Sequence, residues 1–252
     1  MRNDVRRFGW VLLLAVLLIG GCFSGKTPLE VLKYERNPRN ENLIVFLRGM
    51  GGTLNCVIDS HGCFKTESFV TAVLDRNLPY DMVAPNTHFG YYKDRTLQER
   101  LRKDVILPAR AAGYRNIWLV GVSMGGLGAL LYTKAHPEDI QGVLTLGPYL
   151  GDDEIIEEIL DAGGVSEWTP GEYDENEDWQ RMLWDWLKRY PHDSDDRAPI
   201  FIGIGDADPY FKDQELLANY LPPGRAIYVE GKHRFSTFKN VWEVFLDRGL
   251  LK

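Results

Sequence analysis

Residues 116–126 read Asn-Ile-Trp-Leu-Val-Gly-Val-Ser-Met-Gly-Gly, a strand that runs straight into a helix. Its first seven residues are almost continuously apolar, the pattern of a strand buried on both faces of a parallel sheet. The thirteen residues after Ser123, Met124–His136, are rich in Gly and Ala and suit a close-packed helix. Between them lies Gly121-Val122-Ser123-Met124-Gly125. A strand that turns sharply into a helix strains the backbone at its central residue. Side chains two positions to either side would collide, which accounts for Gly121 and Gly125. Ser123 Oγ is then thrust out at the carboxyl end of the sheet, beside a helix N-terminus.

The pattern continues on both sides. Strands are predicted at 43–47, 81–84, 141–146, 199–204 and 225–229, and helices at 65–76, 96–112 and 238–246. The 96–112 helix carries Leu97, Leu101, Val105 and Ile106 on one side. Short apolar strands separated by helices predict an α/β fold, with a mostly parallel sheet and helices on both faces. No internal repeat or low-complexity tract interrupts it.

A serine is a weak nucleophile until a base takes its proton, and the base needs a carboxylate to orient it. Of the five histidines, only His192 and His233 follow Ser123, apart from His136 at the end of the helix that Ser123 opens. His233 comes just after a late strand, through Gly231, where a loop at the carboxyl end of the sheet belongs. The strand before that one runs into Gly205-Asp206-Ala207-Asp208. In element order over roughly 40–250, and in these motifs, the chain resembles the α/β-hydrolase superfamily. The resemblance implies the chain order nucleophile, acid, base. It favours Asp208 as the acid, through the family's Gly-x-x-Asp turn, with Asp206 as the alternative. It also implies that the loop in Leu43–Gly52 (LIVFLRGMGG) supplies an oxyanion donor. The Met50 N–H is expected in that role, with the Met124 N–H as the second donor. Many relatives have His-Gly where this chain has Arg48-Gly49, so Arg48 either braces the loop or meets an anionic substrate group.

The expected activity is a serine hydrolase that cleaves carboxylic esters through an acyl-serine intermediate, using Ser123, Asp208 and His233. No cofactor or metal is called for. The same three residues would serve an acyltransferase or thioesterase. A reading from another class is a non-catalytic binding lipoprotein on a hydrolase fold. His88-Phe89-Gly90-Tyr91-Tyr92 follows a strand, so its aromatics either line an acyl pocket at the site's rim or pack the loop.

The 252 residues carry a formal charge of −7, which argues against general nucleic-acid binding. The acidity is local. Residues 151–197 hold 16 acidic and 4 basic side chains and are too long for an ordinary crossover. Within them Trp179, Met182, Leu183, Trp186 and Leu187 lie at helical spacing and form a wide apolar face. Either that face packs on the main domain, or the insertion is a lid or cap over a substrate pocket.

The N-terminus reads as an address. Arg2, Arg6 and Arg7 precede the apolar run Trp10–Ile19, which is short for a membrane span and ends at Gly20-Gly21-Cys22. Leu18–Cys22 resembles a bacterial lipobox. That resemblance implies a signal peptide over 1–21, acylation (palmitate) at Cys22, a tether over 22–30 and a hydrolase domain over 31–252. The protein is then expected on a membrane of the cell envelope, through its lipid. Phe23, which is not Asp, tilts the expectation toward the outer membrane in a Gram-negative cell. The remaining cysteines, Cys56 and Cys63, can pair as a disulfide in an oxidising compartment.

Overall fold

The computed structural model describes residues 24–34, 40–50, 63–190 and 197–251. The expected signal peptide over 1–21, Cys22 and Cys56 therefore lie outside the described residues. The apolar runs form the strands β1 (Val31–Tyr34), β2 (Asn42–Leu47), β3 (Asp81–Pro85), β4 (Asn116–Val122), β5 (Gly142–Leu146), β6 (Ile200–Gly205) and β7 (Ala226–Val229). They make one sheet in the order β1-β3-β2-β4-β5-β6-β7, parallel throughout except for β1, which pairs antiparallel with β3 at the edge. This is the mostly parallel α/β-hydrolase sheet that the sequence predicts, with one antiparallel edge strand added.

Both faces of the sheet are buried, and the period of two along each strand divides the side chains between them. Leu43, Val45 and Leu47 join one apolar cluster, and Ile44 and Phe46 join the other. The same split runs through β4, where Ile117 and Leu119 face one way and Trp118, Val120 and Val122 the other. The second face is covered by α1 (Cys63–Thr66), α2 (Phe69–Asp75) and α10 (Phe235–Asp247). Its centre is aromatic: Phe46 stacks on Phe64 at 4.7 Å, and Trp242 lies edge-on to Phe46 at 5.9 Å.

The first face is covered by α4 (Leu97–Leu101), a π-helical stretch (Arg102–Ile106), α5 (Leu107–Ala111), α6 (Met124–Ala135) and α9 (Phe211–Tyr220). One helix was expected over 96–112. The chain is helical throughout, but its middle turn is widened, and Leu97, Leu101, Val105 and Ile106 all remain buried.

The insertion belongs to this same face. Its helices are α7 (Asp153–Asp161) and α8 (Trp179–Arg189). Ile155, Ile156 and Ile159 of α7 and Leu183, Trp184 and Leu187 of α8 are buried in the cluster that also holds the sheet residues Val45 and Leu119. Trp184 Nε1 donates to the Leu150 carbonyl at 3.0 Å, so the indole is satisfied as well as buried. Most of the apolar face predicted for α8 is thus taken up by packing against the main domain. Only its edge, Trp179 and Met182, reaches the cavity described below.

The stretch before β1, expected as a tether, lies along the domain from Gly25 onward. Gly25 N–H donates to Asp94 and Leu29 N–H to Asp104, at 2.9 and 2.8 Å, and Leu29 is buried. Among the described residues no helix is long and apolar enough to cross a membrane.

Candidate active site

Ser123 sits at the junction of β4 and α6 with φ 53° and ψ −118°, a conformation that costs a non-glycine residue of order 1–3 kcal/mol. Its neighbours make the turn possible. A Cβ on Gly121 would lie 2.2 Å from the Gly125 carbonyl oxygen, and one on Gly125 would lie 2.1 Å from the Leu47 carbonyl oxygen. The turn is pinned by backbone bonds. Ser123 N–H donates to Leu146 O, and Ser123 O accepts from Gly126 and Tyr149 N–H. Although Ser123 occupies the N-cap of α6, its hydroxyl makes no capping bond. The side chain lines a cavity of about 1120 Å³.

His233 lines the same cavity. Its Nδ1 lies 2.7 Å from Asp208 Oδ2, and the Asp208 side chain is wholly buried. Asp208 Oδ1 accepts the Tyr210 N–H at 2.9 Å, so both carboxylate oxygens are held. Of the two candidate aspartates, Asp208 is the one that reaches the histidine. Asp206 does something else: its Oδ1 accepts the Gly231 N–H at 2.9 Å and ties the turn after β6 to the loop that carries His233. The imidazole edges onto Tyr210 and Phe238, with ring centroids 5.2 and 5.0 Å away.

Met50 and Met124 also line the cavity. The loop that carries Met50 presses on the Ser123 turn, since a Cβ on Gly49 would meet Ser123 Cβ at 3.0 Å. Arg48 does not line the cavity. Its Nε donates to the Gly49 carbonyl at 3.1 Å, and burial lowers its pKa against the opposing influence of the nearby Tyr92 hydroxyl. Of the two roles open to Arg48, bracing is the one the contacts support. Gly51, Gly52 and Cys56 lie outside the described residues, and Cys63 is buried at the start of α1.

The segment after β3 forms the short helix α3 (Phe89–Lys93). Phe89, Tyr91 and Tyr92 line the cavity, so these aromatics serve the pocket, while His88 caps the helix by accepting the Gly90 N–H. The Tyr92 hydroxyl donates to the Met124 carbonyl at 2.9 Å, bracing the residue after Ser123. Sequence reasoning missed Tyr149 and Tyr210. Both follow the carboxyl ends of strands, β5 and β6, which is the signal that would have found them. Their rings lie 6.1 Å apart, and Tyr149 continues to Trp179 at 6.0 Å.

One buried carboxyl shapes the local electrostatics. Burial pushes the pKa of Asp213 up to about 6; Asp153 and Asp208 act in the same direction, and its own N–H and Lys212 oppose it. Between about pH 4 and pH 6 the folded chain keeps a proton here that the unfolded chain releases. Stability is therefore lost as pH rises through that window, by roughly 2 kcal/mol once it is passed. Asp213→Asn is expected to raise stability by about that amount at pH 8 and not at pH 4. Urea melts at the two pH values test this, and an equal gain at both would contradict it.

The family model described as "Putative esterase" matches residues 86–239. No curated protein matches the chain. Among solved structures, it is similar to Est1E from Butyrivibrio proteoclasticus, at 16% identity and TM-score 0.54 over 88% of this chain and 94% of that one. It is also similar to a predicted CIB-like hydrolase from Thermoplasma acidophilum, at 13% identity and TM-score 0.53 over 87% and 97%. A third is an S-formylglutathione hydrolase (FrmB) from Staphylococcus aureus, at 12% identity and TM-score 0.51 over 87% and 95%. At these identities the likeness speaks for the fold.

Proposed function

Given that the chain belongs to the "Putative esterase" family, we propose that it cleaves carboxylic esters with Ser123 as nucleophile, His233 as base and Asp208 as orienting acid. The observation that carries this is the buried Asp208 bonded to His233 in the cavity that Ser123 lines. Asp208 Oδ2 accepts the Nδ1–H, which leaves Nε2 as the lone-pair nitrogen. Nε2 takes the Ser123 hydroxyl proton as Oγ attacks the ester carbonyl. The carbonyl oxygen becomes an oxyanion, with the Met50 and Met124 N–H groups as its donors. Such a pair is worth a few kcal/mol of barrier in a site that excludes water. The imidazolium then gives its proton to the departing alcohol. Water, deprotonated by His233, attacks the acyl-serine and releases the acid.

The strain at Ser123 and the hydroxyl left out of the helix cap support a catalytic over a scaffold role, because a purely structural turn needs neither. The aromatic and apolar lining supports an ester with an apolar acyl group.

The test is covalent labelling with a fluorophosphonate probe. Wild type should label at one site, and Ser123→Ala should not. Equal labelling of the two would remove Ser123 from the role.

The lipobox-like Leu18–Cys22 motivates the rest of the proposal: a lipid-anchored envelope protein, in which an oxidising milieu favours the Cys56–Cys63 disulfide. Cys22→Ser should move the protein from the membrane to the soluble fraction. A protein that stays with the membrane, its N-terminus uncleaved, would overturn the lipid anchor.

A further inference from the structure

We infer that the acyl group of the substrate is an unbranched chain of medium length, about eight carbons, lying along the cavity side of α6. The inference rests on the serine esterase reading and adds the direction and length of the acyl site. The cavity, at about 1120 Å³, is far larger than an acetyl group needs. Its floor starts at the nucleophile and follows the helix behind it. Met124, Leu127 and Leu131 all line the cavity, and their spacing of three and four residues sets them in one stripe along α6. Leu97 and Met182 wall this trough.

The opposite direction is taken by the alcohol. His233 must hand its proton to the leaving oxygen, so the alcohol lies on the histidine's side. There the lining is the aromatic series Tyr210, Tyr149 and Trp179, with Asp152 bonded to the Tyr149 hydroxyl and to Gln180. The acyl chain is left with the α6 trough.

The trough has an end. One turn beyond Leu131, Lys134 Nζ pairs with Glu175 at 2.9 Å, and Glu175 and Gln98 also line the cavity. A methylene pushed past Leu131 would displace water from an ion pair without apolar contact in return. From Met124 to Leu131 the helix rises about 10 Å. At about 1.2 Å per bond of an extended chain, that span holds about eight carbons.

The experiment uses the full chain and p-nitrophenyl esters from acetate to palmitate. The expected kcat/KM climbs about threefold per methylene up to about eight carbons, then levels or falls by twelve. Leu131→Trp, which blocks the trough, should cut the ratio of octanoate to acetate rates at least tenfold. Leu131→Ala should move the optimum one or two carbons longer and keeps the test alive if the Trp variant does not fold. An optimum at acetate, a steady rise to palmitate, or a profile unmoved by either variant would overturn the assignment. An enzyme that labels at Ser123 and cleaves acetate with a flat profile sinks only the trough. One that cleaves no ester and fails to label sinks the serine esterase reading, and the trough with it.

Discussion

Asp208→Asn is expected to lower kcat on an activated ester by about 10⁴-fold, against less than about fivefold for Asp206→Asn. The reason lies in which atoms each carboxylate holds. Asp208 Oδ1 accepts the Tyr210 N–H. In the Asp208→Asn variant the amide oxygen must stay there, because an amide nitrogen would face another donor. The NH₂ group then points at His233 Nδ1, which can only accept from it. The proton is driven to Nε2, and the base that should take the serine proton has no lone pair to offer. Burial of the side chain leaves no room for water to repair the tautomer. Asp206 presents Oδ1 to the Gly231 N–H, and an Asn oxygen accepts that bond equally well. Steady-state kinetics on p-nitrophenyl acetate decide the matter, and the reverse ranking would overturn the choice of acid.

Gly125→Ala is expected to cost about 3 kcal/mol or more of stability and to lower kcat about 10²-fold in whatever folds. The added methyl would stand 2.1 Å from the Leu47 carbonyl oxygen and 2.5 Å from its carbon. These are backbone atoms at the end of β2, a strand paired on both sides by β3 and β4, so they cannot turn aside as a side chain would. Either α6 lifts off the sheet, or β2 and the loop carrying Arg48–Met50 are pushed outward. The second course moves the proposed oxyanion donor, the Met50 N–H, away from Ser123, which is why activity should fall with stability. Urea denaturation and kcat measured together test it. An Ala variant within about 1 kcal/mol of wild type and fully active would show that the contact relaxes freely.

Much of the fold was legible because the parallel strands are buried on both faces. Asn116–Val122 matches its expected limits, and β2, β3, β5, β6 and β7 begin and end within one residue of theirs. Burial on two sides leaves a run so apolar that its ends are abrupt. The parts that escaped have weaker signals. Val31–Tyr34 is a four-residue edge strand, half-buried at best. In α7 the acidic residues at both ends mask Ile155, Ile156 and Ile159. α9 buries Asp213 and Gln214 among its apolar residues, which blurs its period.

At the site, the sharp Ser123 turn could be read from residues 121–125 because sterics there are local: two glycines, a strand before and a helix after. Local chain order could also nominate His233 and restrict the acid to two aspartates two residues apart. The resemblance of Gly205-x-x-Asp208 to the family's turn favours Asp208, but it does not show which carboxylate reaches the histidine. That choice depends on where a loop 25 residues further along comes to rest, and only the packed sheet brings Gly231 to Asp206 and His233 to Asp208. The acidic insertion shows the same division. Composition and periodicity determine that α8 carries an apolar face which must be covered. Folding decides what covers it: most of the face is buried in the main core, and Trp179 and Met182 are left at the cavity's edge. Local geometry is written in neighbouring residues, whereas the partner of a side chain is set by contacts between segments far apart in the chain.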